Sequence, residues 1–137
     1  MTETGFVPKA RYMMRALELA AQAAAMGEVP VGAVVVQKST GRIIGEGYNR
    51  READRSPLAH AEIMAIDAAS RTLGGWRLLD SALYVTLEPC PMCAGAILHA
   101  RLEQVVYGTA DPKGGAVDSV EQLFTLPYNW TPEVYAG

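Results

Sequence analysis

From Pro8 to Met26 the apolar positions Met13, Leu17, Ala20, Ala21 and Ala24 recur at helical spacing among strong helix formers, and Gly27 supplies a stop. This pattern predicts a first helix. The period then changes: Val31 to Val36 is short, β-branched and continuously apolar, which suits a strand buried on both faces. Arg42 to Tyr48 reads as its hairpin partner across a loop at Ser39 to Gly41. Asn49 to Pro57 is polar and charged, a surface loop that delivers the chain to a second helix, Leu58 to Leu73, closed by Gly74-Gly75. Ala82 to Leu87 predicts a third strand and Pro91 to Ala100 a third helix, with Pro91 in the first turn, where its missing N–H has no intrahelical partner to lose. Val105 to Gly108 follows as a strand, Val117 to Phe124 as a short helix or turn, and Glu133 to Ala136 as a last strand. Residues 1 to 8 have no periodicity and read as a loose arm, leaving 9 to 137 as one domain.

Strands alternating with helices of this length predict an α/β fold: a three-layer α/β/α sandwich around a mixed five-stranded sheet. Composition agrees, since 137 residues at 50% hydrophobic and 20% charged can build one core without staples. The longest apolar run, Val29 to Val36, is far shorter than the roughly 20 residues of a membrane helix, and no basic-then-apolar leader precedes it. The expectation is a soluble, cytoplasmic protein with no membrane partner. The net charge of −3 advertises no polyanion partner, so any nucleic-acid contact must be local. Residues 1 to 56 carry eight basic and six acidic side chains, +2, with Arg50, Arg51 and Arg55 the densest basic group; residues 57 to 137 carry four and nine, −5.

Two cysteines and two histidines make those positions informative. Cys90 and Cys93 form a C-x-x-C at the start of the third helix, where two sulfurs three residues apart can face one atom and free amides favour a thiolate. On its own the motif leaves metal binding, a redox dithiol and an inert buried pair open. His60 opens the second helix after another strand-to-loop passage, so a sheet could bring it beside the cysteines, and Cys₂His with an open fourth position is a catalytic zinc geometry. His99 lies about 180° around its helix from Cys90 and faces away. Glu62 follows His60 by two residues, about 200° on a regular helix, so the two share a cavity only if it wraps over the helix end.

His60-Ala61-Glu62 with Pro89-Cys90-Pro91-Met92-Cys93 resembles the zinc-deaminase signature. Glu28 to Ala33, Gly47-Tyr48-Asn49-Arg50, Ala59 to Ala65, Cys93 to Ile97, His99-Ala100-Arg101 and Tyr107-Gly108 with Asp111-Pro112-Lys113 narrow the likeness. Together they resemble the bacterial tRNA-specific adenosine deaminase family, which converts the wobble adenosine of an anticodon to inosine. The resemblance covers about Pro8 to Val117. It implies the cytidine deaminase-like fold, one Zn²⁺ per chain held by His60, Cys90 and Cys93, and Glu62 as proton shuttle. Two thiolates would cancel the formal charge of Zn²⁺ while the metal still lowers the pKa of its water.

The resemblance also implies base contacts from Asn49, a sandwich of the base between Val31 and His60, and backbone contacts from Ala61 and Cys90. Asp111 and Lys113 would lie near flanking nucleotides and Arg50 near a phosphate. The implied partners are a tRNA anticodon stem-loop and a second copy of the chain. Family members usually continue past the last strand into a C-terminal helix, which is expected to be missing here, since the sequence stops at Ala136-Gly137. Two rival functions remain: deamination of a free base or nucleoside, guanine or cytosine first, and a noncatalytic RNA-binding subunit. Retention of Glu62 and all three ligands argues against the latter.

Overall fold

A computed structural model describes residues 5 to 137. The elements are α1 (Ala10–Ala25), β1 (Gly32–Gln37), β2 (Arg42–Tyr48), α2 (Ala61–Leu73), β3 (Ser81–Leu87), α3 (Pro91–Ala100), β4 (Gln104–Thr109), a 3₁₀ turn (Leu123–Thr125) and β5 (Glu133–Ala136). The strands form one sheet in the order β2-β1-β3-β4-β5. β1 is antiparallel to both neighbours, and β3, β4 and β5 are mutually parallel. The predicted mixed five-stranded α/β sandwich is therefore what forms.

Alternation along the strands divides the core between the two faces. Tyr12 and Leu19 of α1 pack with Val34, Val36, Ala82, Tyr84 and Val106. On the other face α2 and α3 bury Ala61, Ala65, Ala69, Ala94 and Ile97 with Ala33, Val35, Leu83, Val85, Val105 and Tyr107. The seat of α2 is unusually close. A Cβ at Gly45 or Gly47 of β2 would collide with the α2 backbone at Ala65 and Ala61 respectively. Glycines on the strand and alanines on the helix thus let α2 lie directly on β2 and fix where its N-terminus points.

Topology places the helix starts. Because β2 and β3 both run antiparallel to the β1 strand between them, they point the same way and release the chain at the same edge of the sheet. The N-termini of α2 and α3 therefore converge there, as ligand sites in open α/β sheets do.

The pattern and the structure differ in two places, and in a third the structure decides between two expectations. The second helix starts at Ala61 rather than Leu58, since exposed Leu58 has no core to join and His60 is extended (φ −81, ψ 151). Of the short helix or turn expected over 117–124 the structure takes the turn, with 3₁₀ geometry at Leu123–Thr125, because the N–H groups of Val117, Asp118 and Ser119 donate to the Glu88 carboxylate instead of to a preceding carbonyl. Of the predicted loose arm, residues 1 to 4 lie outside the described residues, but Phe6 is docked, its ring tilted against Tyr135 with centroids 5.2 Å apart. Among the described residues no helix is long and apolar enough to cross a membrane.

Candidate active site

His60 caps α2 and Cys90 caps α3, each extended rather than helical, so their side chains project over the ends of the helices into the same space. His60 Nδ1 lies 3.6 Å from Cys90 Sγ and 3.5 Å from Cys93 Sγ. All three donor atoms fall within 4.8 Å of one another. A tetrahedral zinc with Zn–N near 2.0 Å and Zn–S near 2.3 Å sets its nitrogen and sulfur donors about 3.6 Å apart. The trio fits zinc. A redox dithiol has no need of an imidazole within that distance of both sulfurs, and the inert reading fails because Cys90 is only half-buried.

Charge supports the same assignment. A hydrogen bond from Cys93 is the largest influence lowering the Cys90 pKa to about 5; burial opposes it, and the N–H groups of Cys93 and Met92 and the neighbouring His60 assist it. Cys93 is pushed upward by that same bond and by burial. Without a cation the pair thus keeps one thiolate and one thiol, and a dication supplies the positive charge that a second thiolate requires.

Glu62 is buried, 4% exposed, in the first turn of α2. Its pKa is raised to about 7, first by burial and further by the Cys90 charge, against the opposing bonds from its own N–H and from Cys93. His60, Ala61 and Glu62 line one cavity of about 260 Å³ together with Val29, Val31, Asn49, Arg51, Leu87, Glu88, Cys90 and Asp111. The separation by two residues is reconciled by the cap: His60 leaves the helical path, so the cavity wraps over the helix end. This volume lies just below the usual range for ligand pockets, about 300–1,000 Å³, and suits a single base.

Of the substrate contacts implied by the resemblance, Val31, Asn49, Ala61 and Asp111 are brought together here. Asn49 is 5% exposed and locked in place: Nδ2 donates to Val29 O and Oδ1 accepts from Arg51 N, each at 3.1 Å. Arg50 and Lys113 do not line the cavity. The Arg50 guanidinium turns away, pairing with Asp54 at 3.0 Å and donating to Tyr48 Oη at 3.2 Å. Arg51, which sequence reasoning treated only as part of a basic cluster, occupies the wall instead. His99 is exposed on the outer face of α3, away from the trio.

Two buried glutamates were also missed. Glu28 accepts from the N–H groups of Glu52 and Ala53 at 3.2 and 2.8 Å, pinning the arginine-rich loop. Glu88, 2% exposed, accepts from Asp111, Val117, Asp118 and Ser119. Burial raises its pKa, but the Ser119 hydroxyl and the N–H groups of Asp118, Ser119 and Asp111 outweigh this and hold the carboxyl at about 2. The available signal was a charged residue directly after a mostly apolar strand, immediately before Pro89-Cys90.

The sequence profile of the cytidine and deoxycytidylate deaminase zinc-binding region matches residues 8–109. The tRNA-specific adenosine deaminase of Haemophilus influenzae is 51% identical over 127 residues, 91% of this chain and 73% of that protein. A solved structure from work on A-to-I editing by tRNA:A34 deaminases at the wobble position superposes with a TM-score of 0.90 at 45% identity, covering 94% of this chain and 93% of that one. The guanine deaminase of Bacillus subtilis is more distant in shape, with a TM-score of 0.71 at 41% identity over 76% of this chain and 66% of that one.

Proposed function

The chain belongs to the tRNA-specific adenosine deaminase family of zinc-dependent deaminases, and from that premise we propose that it hydrolyses adenosine to inosine at the wobble position of tRNA anticodons. The observation that carries the reading is the convergence of His60, Cys90 and Cys93 with buried Glu62 in one base-sized cavity. Zinc held by His60, Cys90 and Cys93 would supply an activated water near neutral pH. Glu62 would take one proton from the attacking water and give it to the adenine ring nitrogen beside C6 as oxygen adds to the carbon. It would then carry the remaining proton of the new hydroxyl to the amine, so that ammonia leaves and hypoxanthine remains. Burial raises the Glu62 carboxyl above its usual range, toward a pKa at which it can both accept and donate a proton.

Val31 and His60 would hold the faces of the base and Asn49 its polar edge, while Ala61 and Cys90 offer backbone groups near the reacting carbon. Arg51, which lines the wall, would meet a phosphate in the role first expected of Arg50, and Asp111 with nearby Lys113 would meet flanking nucleotides. The reading describes one deaminase domain, residues 9 to 137, working in the cytoplasm alongside its tRNA.

The test is base conversion in an anticodon stem-loop carrying a wobble adenosine, set beside free guanine, cytosine, adenosine and cytidine. Inosine should form in the stem-loop and free bases should turn over little or not at all. Guanine turnover with an inert stem-loop would overturn the assignment.

A homodimer is the second part of the proposal. α3 is apolar apart from His99, and its outer residues Ala96 and His99 adjoin Ile63, Ile66 and Trp76 of a partly apolar groove along α2 that also holds Asp67 and Ser70, with Trp76 55% exposed. A mostly apolar helix with exposed neighbours of this kind is ordinarily covered, and a second copy of this chain offers a matching self-complementary patch. Gly95 sits beside His99, in the adjoining pocket on the outer side of α3, with nothing within 4 Å of an added Cβ. Gly95→Arg should therefore leave the monomer folded and shift light scattering from twice 14.7 kDa toward one chain. A wild-type protein that stays monomeric at every concentration would refute the dimer.

A further inference from the structure

The segment from Asp111 to Thr125 forms one wall of the cavity through Asp111, yet it holds only one turn of 3₁₀ helix and no strand. One buried side chain gathers more of its backbone than any other group. Glu88 Oε1 accepts from Asp111 N at 3.0 Å and from the Ser119 hydroxyl. Oε2 accepts from the N–H groups of Val117, Asp118 and Ser119 at 3.1, 2.7 and 2.9 Å. The segment closes tightly around the carboxylate: a Cβ at Gly115 would collide with it. Ala116 N donates to Pro89 O at 2.9 Å and Tyr107 Oη to Asp118 Oδ2 at 2.6 Å, fastening the segment to the turn that carries Cys90 and to β4.

The chemistry of this cluster is selective. Five donors converge on one group, and only an ionised carboxylate offers enough lone pairs without a hydrogen of its own. Glutamine would turn an NH₂ toward N–H groups. An aliphatic side chain would leave the amides unpaired in a buried place, where an unmet donor is costly. Glu88 also stands two residues before Cys90, so the metal-side turn and the opposite wall of the cavity are held from the same point of the chain.

We propose that Glu88 is a positioning residue: it gathers the backbone of 111–119 and thereby fixes Asp111 against the nucleotides that flank the reacting base. The inference rests on the tRNA reading for its substrate, and it concerns substrate capture rather than proton transfer. Glu88 makes no contact with the reacting atoms in this scheme. Its loss should appear in KM more than in kcat.

The experiment compares the wild-type zinc protein with Glu88→Gln and with the milder Ser119→Ala, which removes one hydroxyl donor and no backbone group. Backbone amide exchange is followed at 111 and 117–119. In Glu88→Gln it should rise about tenfold or more there and stay unchanged in α1 and β1. Zinc should remain near one per chain, and KM for the wobble stem-loop should rise about tenfold while kcat changes less than about threefold. Ser119→Ala should move the same quantities in the same direction by less, and it tests the proposal alone if Glu88→Gln does not fold. Unchanged exchange at 117–119 in a folded variant overturns the proposal, as does a fall in kcat or zinc content with KM unaltered. If the wild-type protein leaves the stem-loop untouched, the tRNA reading fails while the exchange comparison still decides what Glu88 holds.

Discussion

Glu62→Ala should lose deamination by about a thousandfold or more while keeping zinc at close to one per chain. The two halves of that expectation come from different features. Zinc retention follows because the donor trio is His60, Cys90 and Cys93, and Glu62 contributes no atom to it. Loss of turnover follows because no other side chain is equipped to carry the proton. Among the remaining cavity residues, Glu88 is committed to five hydrogen bonds and held at about 2, and is therefore ionised and a poor proton carrier near neutrality. Asp111 already accepts from Lys113 N and Gly114 N at 3.1 and 3.2 Å. Asn49 is an amide with no proton to exchange in such a step. Glu62→Gln sharpens the comparison, since it keeps the shape and the buried position while removing the exchangeable carboxyl proton, and it should be as inactive as the alanine variant. Inosine formation under single-turnover conditions, with elemental analysis of the same sample, reads both halves. An alanine variant that retains a tenth of its activity would remove Glu62 from the mechanism.

That expectation was open to sequence reasoning because the donors and Glu62 sit in short motifs whose spacing survives folding. Arg42 to Tyr48, Pro91 to Ala100 and Glu133 to Ala136 likewise form over the predicted bounds, as each is delimited by local chemistry: a hairpin turn, a proline at the first helical position and a final β-rich run. Where the outcome depended on distant partners, the pattern was insufficient. The helical arithmetic that set Glu62 about 200° from His60 assumed His60 was inside the helix, and its extended cap conformation removes the difficulty. Arg50 and Arg51 are adjacent and chemically identical; only the Asp54 and Tyr48 partners of Arg50 decide which one faces the cavity. For Glu88 the five donors lie 23 to 31 residues further along the chain, and no local periodicity encodes such a convergence. The same bonds explain why 117–124 takes the turn rather than the short helix its pattern also allowed: a carboxylate competes successfully for the amides that a helix would have used.

His60→Ala should cost zinc and stability together, in contrast to Glu62→Ala, which costs only turnover. Remove the imidazole and the metal loses one of three protein donors, leaving two sulfurs that on their own favour one thiolate and one shared proton. Cys93 is fully buried and Glu62 nearly so, and the Cys90 charge raises the Glu62 pKa, so the site concentrates negative charge that a cation neutralises. Without the cation Cys93 keeps its proton, and burial favours the protonated form of Glu62. Zinc binding displaces the Cys93 proton, so zinc affinity should weaken as pH falls and a chelator should strip the metal more readily at pH 5.5 than at pH 8. Because zinc binds the folded state, removing it should lower the unfolding midpoint by about 5 °C or more in the wild-type protein. In His60→Ala the midpoint should already be low and respond little to chelator. Differential scanning calorimetry with and without chelator, paired with metal analysis, separates the cases. A His60→Ala protein that purifies with one zinc per chain would show that the ligand set lies elsewhere, and a wild-type midpoint indifferent to chelator would show that the trio contributes nothing to the folded state.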